Sequence, residues 1–324
     1  MREFPGQLDI HLNGDLTKIR KFIVTTGFSQ ANLMGVYVNC VDAVVSALLE
    51  RFFYVKGIDG TFNPPPTPHA GIFEEPAYVA FRNGIIKRMP PNFPRLGRES
   101  VVRRFNGLKS RRYESALKSL RDEPLCVKDS QLRLFCKFAK VELGDPARII
   151  SPRSARWNLE LARYTKHMEG KVYKAINKIF RSRTVATVMK GLNVDERAEV
   201  LRRKWDSFQD PVCVSGDASK LDASIQKVQL EYEHSIYTGV FPQAPMLRKM
   251  LAAMRVHNCV AYTSDGSVRL HCPGRRASGD VTTSLGNIII MCSIMYSCVF
   301  DTGVRIELGD DGDDWIAMME RRDV

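Results

Sequence analysis

Near the end of the chain, apolar Val304, Ile306 and Leu308 alternate with polar residues, the period-two pattern of a half-buried strand. An acidic turn follows, and Trp315, Ile316, Met318 and Met319 resume an apolar run. Strand, turn and strand predict a hairpin with carboxylates at its tip. Two registers compete, Gly309-Asp310-Asp311 and Gly312-Asp313-Asp314. The first starts the returning strand on Gly312-Asp313-Asp314, which suits a strand badly. The second starts it on Trp315 and is apolar at once, so Asp313 and Asp314 form the predicted turn pair.

Upstream, Val41, Val44, Val45, Leu48, Leu49 and Phe52 fall at helical spacing, as do Trp157, Leu161, Tyr164, Met168, Val172, Ile176 and Ile179. Residues 63–68 are proline-rich and read as an extended connector that ends the first of these helices. Residues 181–204 read as a basic connection, and residues 1–35 are weakly patterned. The apolar run 212–215 predicts a short buried strand leading into Asp217. Asp222 then stands at the start of a helix carrying Val228, Leu230, Tyr232, His234 and Ile236. The longest apolar run, 288–300, is too short for a membrane span and predicts a buried core helix.

Charge changes this picture. The 324 residues carry a net charge of +12, enough chain for one large domain or two ordinary ones. Carboxylates nevertheless gather at a few spots. A basic surface around an acidic pocket suits a polyanion handled through metal ions, although a merely soluble basic protein has the same balance. The eight cysteines show no CxxC pair and no zinc spacing, so they read as reduced core residues of an intracellular protein. The start lacks the basic-then-apolar run of a signal peptide.

Four stretches carry candidate chemistry. Between residues 95 and 121, Arg103, Arg104, Arg111 and Arg112 stand in a basic run with Phe105 and Tyr113 interleaved. It is either a face that tracks phosphates and stacks bases or a solvated helix face. Residues 132–153 predict a hairpin, with Lys140 and Glu142 on one side of its first arm and Arg148 and Arg153 on its return. Such a wall can neutralise a triphosphate. Asp217 lies where a strand meets a turn, and Asp222, five residues on, has an ordinary capping role open to it. Ser278-Gly279 opens a helix on which Thr283 and Asn287 share a face. Taken alone, the Gly-Asp-Asp tip is either a solvated acidic turn or a holder of a hard cation.

In order, these are a basic hairpin, Asp-x4-Asp, Ser-Gly-x3-Thr-x3-Asn and Gly-Asp-Asp. The set resembles motifs F, A, B and C of viral RNA-dependent RNA polymerases, and most closely those of the tombusvirus-like positive-strand group. Residues 217–222, 233–237 and 278–287 carry the closer likeness, with Pro64-Pro65, residues 150–153 and residues 189–192. The resemblance runs from about residue 36 to the end. Leu143, Ala147 and Asp310-Asp311 depart from the group, which usually has asparagines before the Gly-Asp-Asp; the two aspartates are expected to add charge near the tip. The chain stops at Val324, ten residues after Asp314, so the resemblance implies a C-terminally truncated polymerase.

What the resemblance implies is an α+β right-hand polymerase with fingers and an antiparallel-sheet palm, its thumb missing. Residues 1–205 would form the N-terminal region and fingers, and 206–324 the palm. Asp217 and Asp313 would bridge two Mg²⁺, with Asp314 assisting and Mn²⁺ an acceptable substitute. Lys140, Arg148 and Arg153 would line the nucleotide channel. Asp222 and Asn287, with Ser278, Gly279 and Thr283, would read the ribose 2′-hydroxyl. RNA and ribonucleoside triphosphates would be its partners, with a membrane-anchored viral replication protein, at membrane-associated complexes in the host cytoplasm. A reverse transcriptase is less well matched, because it usually carries an aromatic residue near Asp222 and another before its Asp-Asp pair. An RNA-binding replication accessory explains the charge but not the separated carboxylate and hydroxyl clusters.

Overall fold

Helix Ala155–Ile179 gathers the core. Trp157, Leu161, Tyr164, Met168, Val172 and Ile176 recur every three or four residues along it and are all buried. Each fully buried large apolar side chain contributes roughly 1.5–3 kcal/mol. Ser154 caps the helix, its Oγ accepting from Trp157 N at 3.0 Å. Around it pack helices Pro76–Lys87, Lys227–Val240, Pro245–Ala253 and Thr283–Val299. The computed structural model describes residues 6–13, 22–25, 34–57, 60–69, 71–142, 145–182, 186–218 and 220–324.

Against this helical core lies an antiparallel sheet in which strand Asp314–Glu320 is central, flanked by Pro211–Asp217 and Glu307–Asp310. Leu308 and Ala317 pair across it and join the core. The outer edge of Glu307–Asp310 is taken by residues 187–189, with Met189 N donating to Asp310 O at 2.7 Å. Pro211–Asp217 forms an edge of the sheet and leaves Val214 exposed. Strand Asp314–Glu320 is thus paired on both sides and leaves no open edge of its own.

The predicted half-buried alternation also needs correction. Residues 306–310 are all buried, since Glu307 meets the Lys204 ammonium of helix Val194–Trp205 at 3.1 Å. That helix replaces part of the expected basic connection. Its start has a capping box, in which Asn193 accepts from Glu196 N and Glu196 from Asn193 N.

A second core is built on helix Val41–Leu48, its π-helical continuation Leu49–Phe53, and a sheet ordered Gln7–Leu12, Gly266–Pro273, Val256–Thr263 and Leu132–Arg133. Asp265, in the two-residue turn between its central strands, accepts from Val41 N at 2.9 Å and so caps the helix. The weakly patterned start thus supplies one strand of this sheet, and Phe22–Thr25, paired with Met34–Tyr37, comes from the same stretch. Cys40, Cys136, Cys259 and Cys272 are buried here and Cys292 in the first core, but Cys126, Cys213 and Cys298 are exposed, contrary to the expectation that all eight are core residues.

The expected hairpin over 132–153 resolves into shorter pairings. Phe135–Cys136 pairs with Ile149–Ile150, whereas Lys140–Glu142 leaves to pair with Met34–Tyr37. Lys140 and Glu142 do share the exposed side of their strand, with Val141 buried between them. Leu143 and Gly144, and with them the centre of the predicted turn, lie outside the described residues.

The chain is therefore a mixed helix and sheet protein. Residues 288–293 of helix Thr283–Val299 are buried, as the apolar run predicts, but 294–300 are not, with Ile294 and Cys298 exposed; among the described residues no helix is long and apolar enough to cross a membrane. Asp222 departs from its expected place. It lies within the short helix Leu221–Ser224, and the following helix begins separately at Lys227.

Candidate active site

Strand Pro211–Asp217 ends where Asp314–Glu320 begins, and their register sets Asp217 opposite Asp314. Opposed residues of an antiparallel pair have Cβ atoms about 4.5–5.5 Å apart. Ala218 N donates to Asp313 O at 2.8 Å, which ties the hairpin tip to the end of the Asp217 strand. At the tip Gly312 has φ +104°, a conformation open mainly to glycine. Asp311 N donates to Asp314 O at 2.9 Å, and Asp310 pairs with Trp315. The turn thus occupies residues 311–313, and the second predicted register is the one formed. Asp217, Asp313 and Asp314 are all exposed.

The two aspartates before Gly312 do not add free charge to the tip. Asp310 is fully buried, its Oδ1 accepts from Gly312 N at 3.2 Å, and burial pushes its carboxyl well above the usual range. Asp311 is held between Lys190 at 2.7 Å and Arg197 at 2.8 Å. Burial thus favours the neutral form of one, and cations balance the other.

This raised carboxyl has a sign that can be checked. Its folded form keeps a proton that the unfolded chain gives up near pH 4, so the stability it contributes is full below that pH and is lost as pH rises. Asp310→Asn, which cannot ionise, is expected to match the native protein near pH 4.5 and to exceed its unfolding midpoint at pH 8. A margin that shrinks with rising pH would contradict the buried neutral carboxyl.

The tip opens onto a cavity of about 1500 Å³. Asp217, Asp222, Ser278, Gly279, Thr283, Asn287, Gly312 and Asp313 line it, so segments far apart in sequence meet there. Asp222 sits between two of them. Asn287 Nδ2 donates to its Oδ1 at 2.9 Å and Ser278 Oγ to its Oδ2. Asn287 Oδ1 is buried with no hydrogen-bond partner among the described residues. Thr283 is engaged elsewhere, its hydroxyl donating to Ala277 O at 2.9 Å. Lys220, between the two aspartates, holds φ +55°, a left-handed conformation that costs a non-glycine residue roughly 1–2 kcal/mol.

The cationic wall differs from the expected one. Arg148 lines the cavity, and Lys137, whose N donates to Arg148 O at 2.7 Å, lines it in place of Lys140. Lys140 is outside the lining, because its strand has left for another sheet. Arg153 is a wall residue only 1% exposed, its guanidinium committed inside the protein. Arg112 faces the cavity with Lys109, whereas exposed Arg103, Arg104 and Arg111 lie outside its lining. Tyr113 is buried and stacks on Phe105 with ring centroids 4.6 Å apart, so it is not free to stack on a base. Lys137, Lys166, Lys190, Lys220 and Arg276 are lining cations given no role by the sequence, whereas Lys109 belongs to the basic run 95–121. Lys190 lies in the quoted stretch 189–192, the one signal that could have singled it out.

The sequence profile described as "Viral RNA dependent RNA polymerase" matches residues 10–324. The chain belongs to that family. It is 34% identical to the RNA-directed RNA polymerase of Cymbidium ringspot virus over 98% of its own length and 38% of the relative's. It is 33% identical to that of Tobacco necrosis virus (strain A), over 96% of its length and 43% of the relative's. With that of Tomato bushy stunt virus (strain Cherry) the identity is 34%, over 98% and 38%. The chain spans about two fifths of the length of these relatives.

Polymerases of this family use divalent metal ions. Among the described residues no three His, Cys, Asp or Glu side chains form a ready cage for one. Mg²⁺ rarely needs a cage: it is bound by one or two carboxylates, waters and substrate phosphates. The exposed carboxylates that Asp217 and Asp313 present on the cavity wall fit a site of that kind, completed by substrate.

Proposed function

We propose that this chain carries the nucleotidyl-transfer centre for RNA-templated RNA synthesis that replicates a positive-strand RNA virus genome. One observation carries the reading: strand register sets Asp217 opposite Asp314, just outside the cavity lining, and Asp217 and Asp313 line the cavity that also holds the Asp222–Ser278–Asn287 cluster. In this reading residues 206–324 are the palm of a right-hand polymerase and the N-terminal part, 1–205, supplies its fingers. Asp217 and Asp313 hold Mg²⁺, or Mn²⁺ in its place, with Asp314 assisting from the facing strand. Two such ions, when bound, lower the pKa of a primer 3′-hydroxyl and neutralise the triphosphate and leaving pyrophosphate.

The chain's own residues orient the reactants. Arg148 and Lys137 hold the triphosphate from one wall, and Lys109 and Arg112 track the RNA backbone from another. Asp222 has both oxygens occupied, so it orders the donors around the sugar, leaving Ser278 Oγ and the unpartnered Asn287 Oδ1 to meet the 2′-hydroxyl. Partners in this reading are template and product RNA, ribonucleoside triphosphates and a membrane-anchored viral replication protein. The work would take place at membrane-associated complexes in the host cytoplasm.

The test is Mg²⁺-dependent incorporation of labelled ribonucleotides on a primed RNA template, by a full-length protein carrying this chain. RNA binding with no incorporation would support the accessory reading instead. Within the same assay, Asp222→Ala is expected to lower the ratio of ribo- to deoxyribonucleotide incorporation more than it lowers the overall rate. An unchanged ratio with a reduced rate would return Asp222 to a structural role.

A further inference from the structure

Arg153 and Asp280 come from segments 127 residues apart and face each other almost out of reach of solvent, as an ion pair with 1% and 2% side-chain exposure. Every arm of the guanidinium is engaged. Nε donates to Ser130 O at 3.0 Å, Nη1 to the Asp280 carboxylate, and Nη2 to His257 Nδ1 at 3.2 Å. The other ring nitrogen of His257, Nε2, lies 2.7 Å from Arg275 O, and Arg275 N donates toward it at 2.9 Å. Burial and the neighbouring Arg153 push this imidazole down to about 3, which keeps it neutral and able to accept.

The main chain repeats the connection. Ser151 N donates to Ser278 O at 2.7 Å, and Arg153 N to Asp280 Oδ1 at 3.3 Å. Asn158 completes it, donating through Nδ2 to Arg153 O at 3.2 Å and accepting from Val281 N at 2.9 Å. Gly279, at φ +111°, leaves the turn close to Ile150 and Pro152. The turn 278–281 is therefore stitched to residues 151–158, and the same turn presents Ser278 Oγ to Asp222. A triphosphate contact by Arg153 would first have to break this buried pair, and a buried charge deprived of its partner is strongly disfavoured.

We infer that Arg153 and Asp280 form a strut that positions Ser278 against Asp222, which makes Arg153 a positioning residue for sugar selection and not a ligand of the triphosphate. The inference rests on the sugar-reading role proposed above for the Asp222 cluster.

Arg153→Gln, Asp280→Asn and the double variant, made in a full-length protein carrying this chain, test it through two readouts. Amide hydrogen exchange over residues 277–283 needs no activity. Both single variants are expected to exchange there about tenfold faster or more, with helix Pro245–Ala253 unchanged as the internal control. Their ratio of ribo- to deoxyribonucleotide incorporation is expected to fall about tenfold, and the double variant to be no worse than the worse single one. Unchanged exchange overturns the strut. So does a raised KM for nucleotide in Arg153→Gln with an unchanged ratio and a silent Asp280→Asn, which would make Arg153 a triphosphate ligand. Faster exchange with an unchanged ratio in variants that still incorporate overturns the link to sugar selection. Absence of incorporation by the unaltered protein counts against the proposed function, and exchange still decides the strut. Should Arg153→Gln not fold, Arg153→Lys keeps a cation facing Asp280, loses the fork to Ser130 and His257, and gives the same two readouts.

Discussion

Asp217→Ala or Asp313→Ala is expected to lower nucleotide incorporation by at least about a hundredfold, the effect of removing one electrostatic stabiliser of a reacting centre. The fold should survive. Both carboxylates are exposed, and among the described residues neither makes a side-chain hydrogen bond or ion pair, so alanine orphans no partner. It also relieves repulsion between acidic groups that the register sets close together. Unfolding midpoints should therefore stay within the narrow range of ordinary surface substitutions, within about 0.5 kcal/mol in stability. Incorporation like that of the native protein by either variant would sink the assignment. Asp311→Asn is the matched control. It removes a carboxylate from the same turn, but one already held by Lys190 and Arg197, so its loss of activity should be much smaller. Equal damage from Asp311→Asn would mean that the turn's shape, and not its ligands, sets the rate.

The tip was legible because local rules fix it. Gly312 and the apolar start at Trp315 select one register, and a strand ending at Asp217 needs only to pair with that hairpin. The helix Thr283–Val299 was legible for the same reason, with Thr283 and Asn287 one turn apart at its start. Pairings between distant segments were not. Lys140 looks equivalent to Lys137 in a linear reading, and only the departure of its strand to Met34–Tyr37 takes it from the cavity wall. Arg153 reads as a free cation on a return strand until Asp280, 127 residues away, is placed against it. The neutral state of Asp310 was hidden too, because it depends on burial beneath residues 187–189 and beside Cys292. Helix Val194–Trp205 was missed through its composition: its many arginines and lysines hid a capping box and the buried Lys204 that meets Glu307 of the sheet.

Glu233→Ala is expected to destabilise the fold by about 3–5 kcal/mol, the penalty for breaking a buried ion pair from one side. Glu233 is fully buried on helix Lys227–Val240. Its Oε2 accepts from Arg276 Nη2 at 2.6 Å, and its Oε1 from the Tyr237 hydroxyl at 2.6 Å. Alanine leaves a guanidinium and a phenol without an acceptor in a space too enclosed for water to replace the carboxylate fully. A penalty of that size is a large share of the 5–15 kcal/mol typical of a folded domain. Replacing both charges tests the cause. Glu233→Leu with Arg276→Met removes the buried charges together, and should be markedly less destabilising than Glu233→Ala if the orphaned cation is the cost. Denaturant unfolding of the two variants measures the difference, and a double variant as unstable as the single one would assign the loss to packing instead. Arg276 also lines the cavity two residues before Ser278, so the pair bears on the site as well as the core. A folded Glu233→Ala protein, held below its unfolding temperature, should therefore show altered nucleotide selection, because the segment that carries Ser278 has lost its anchor to the helix.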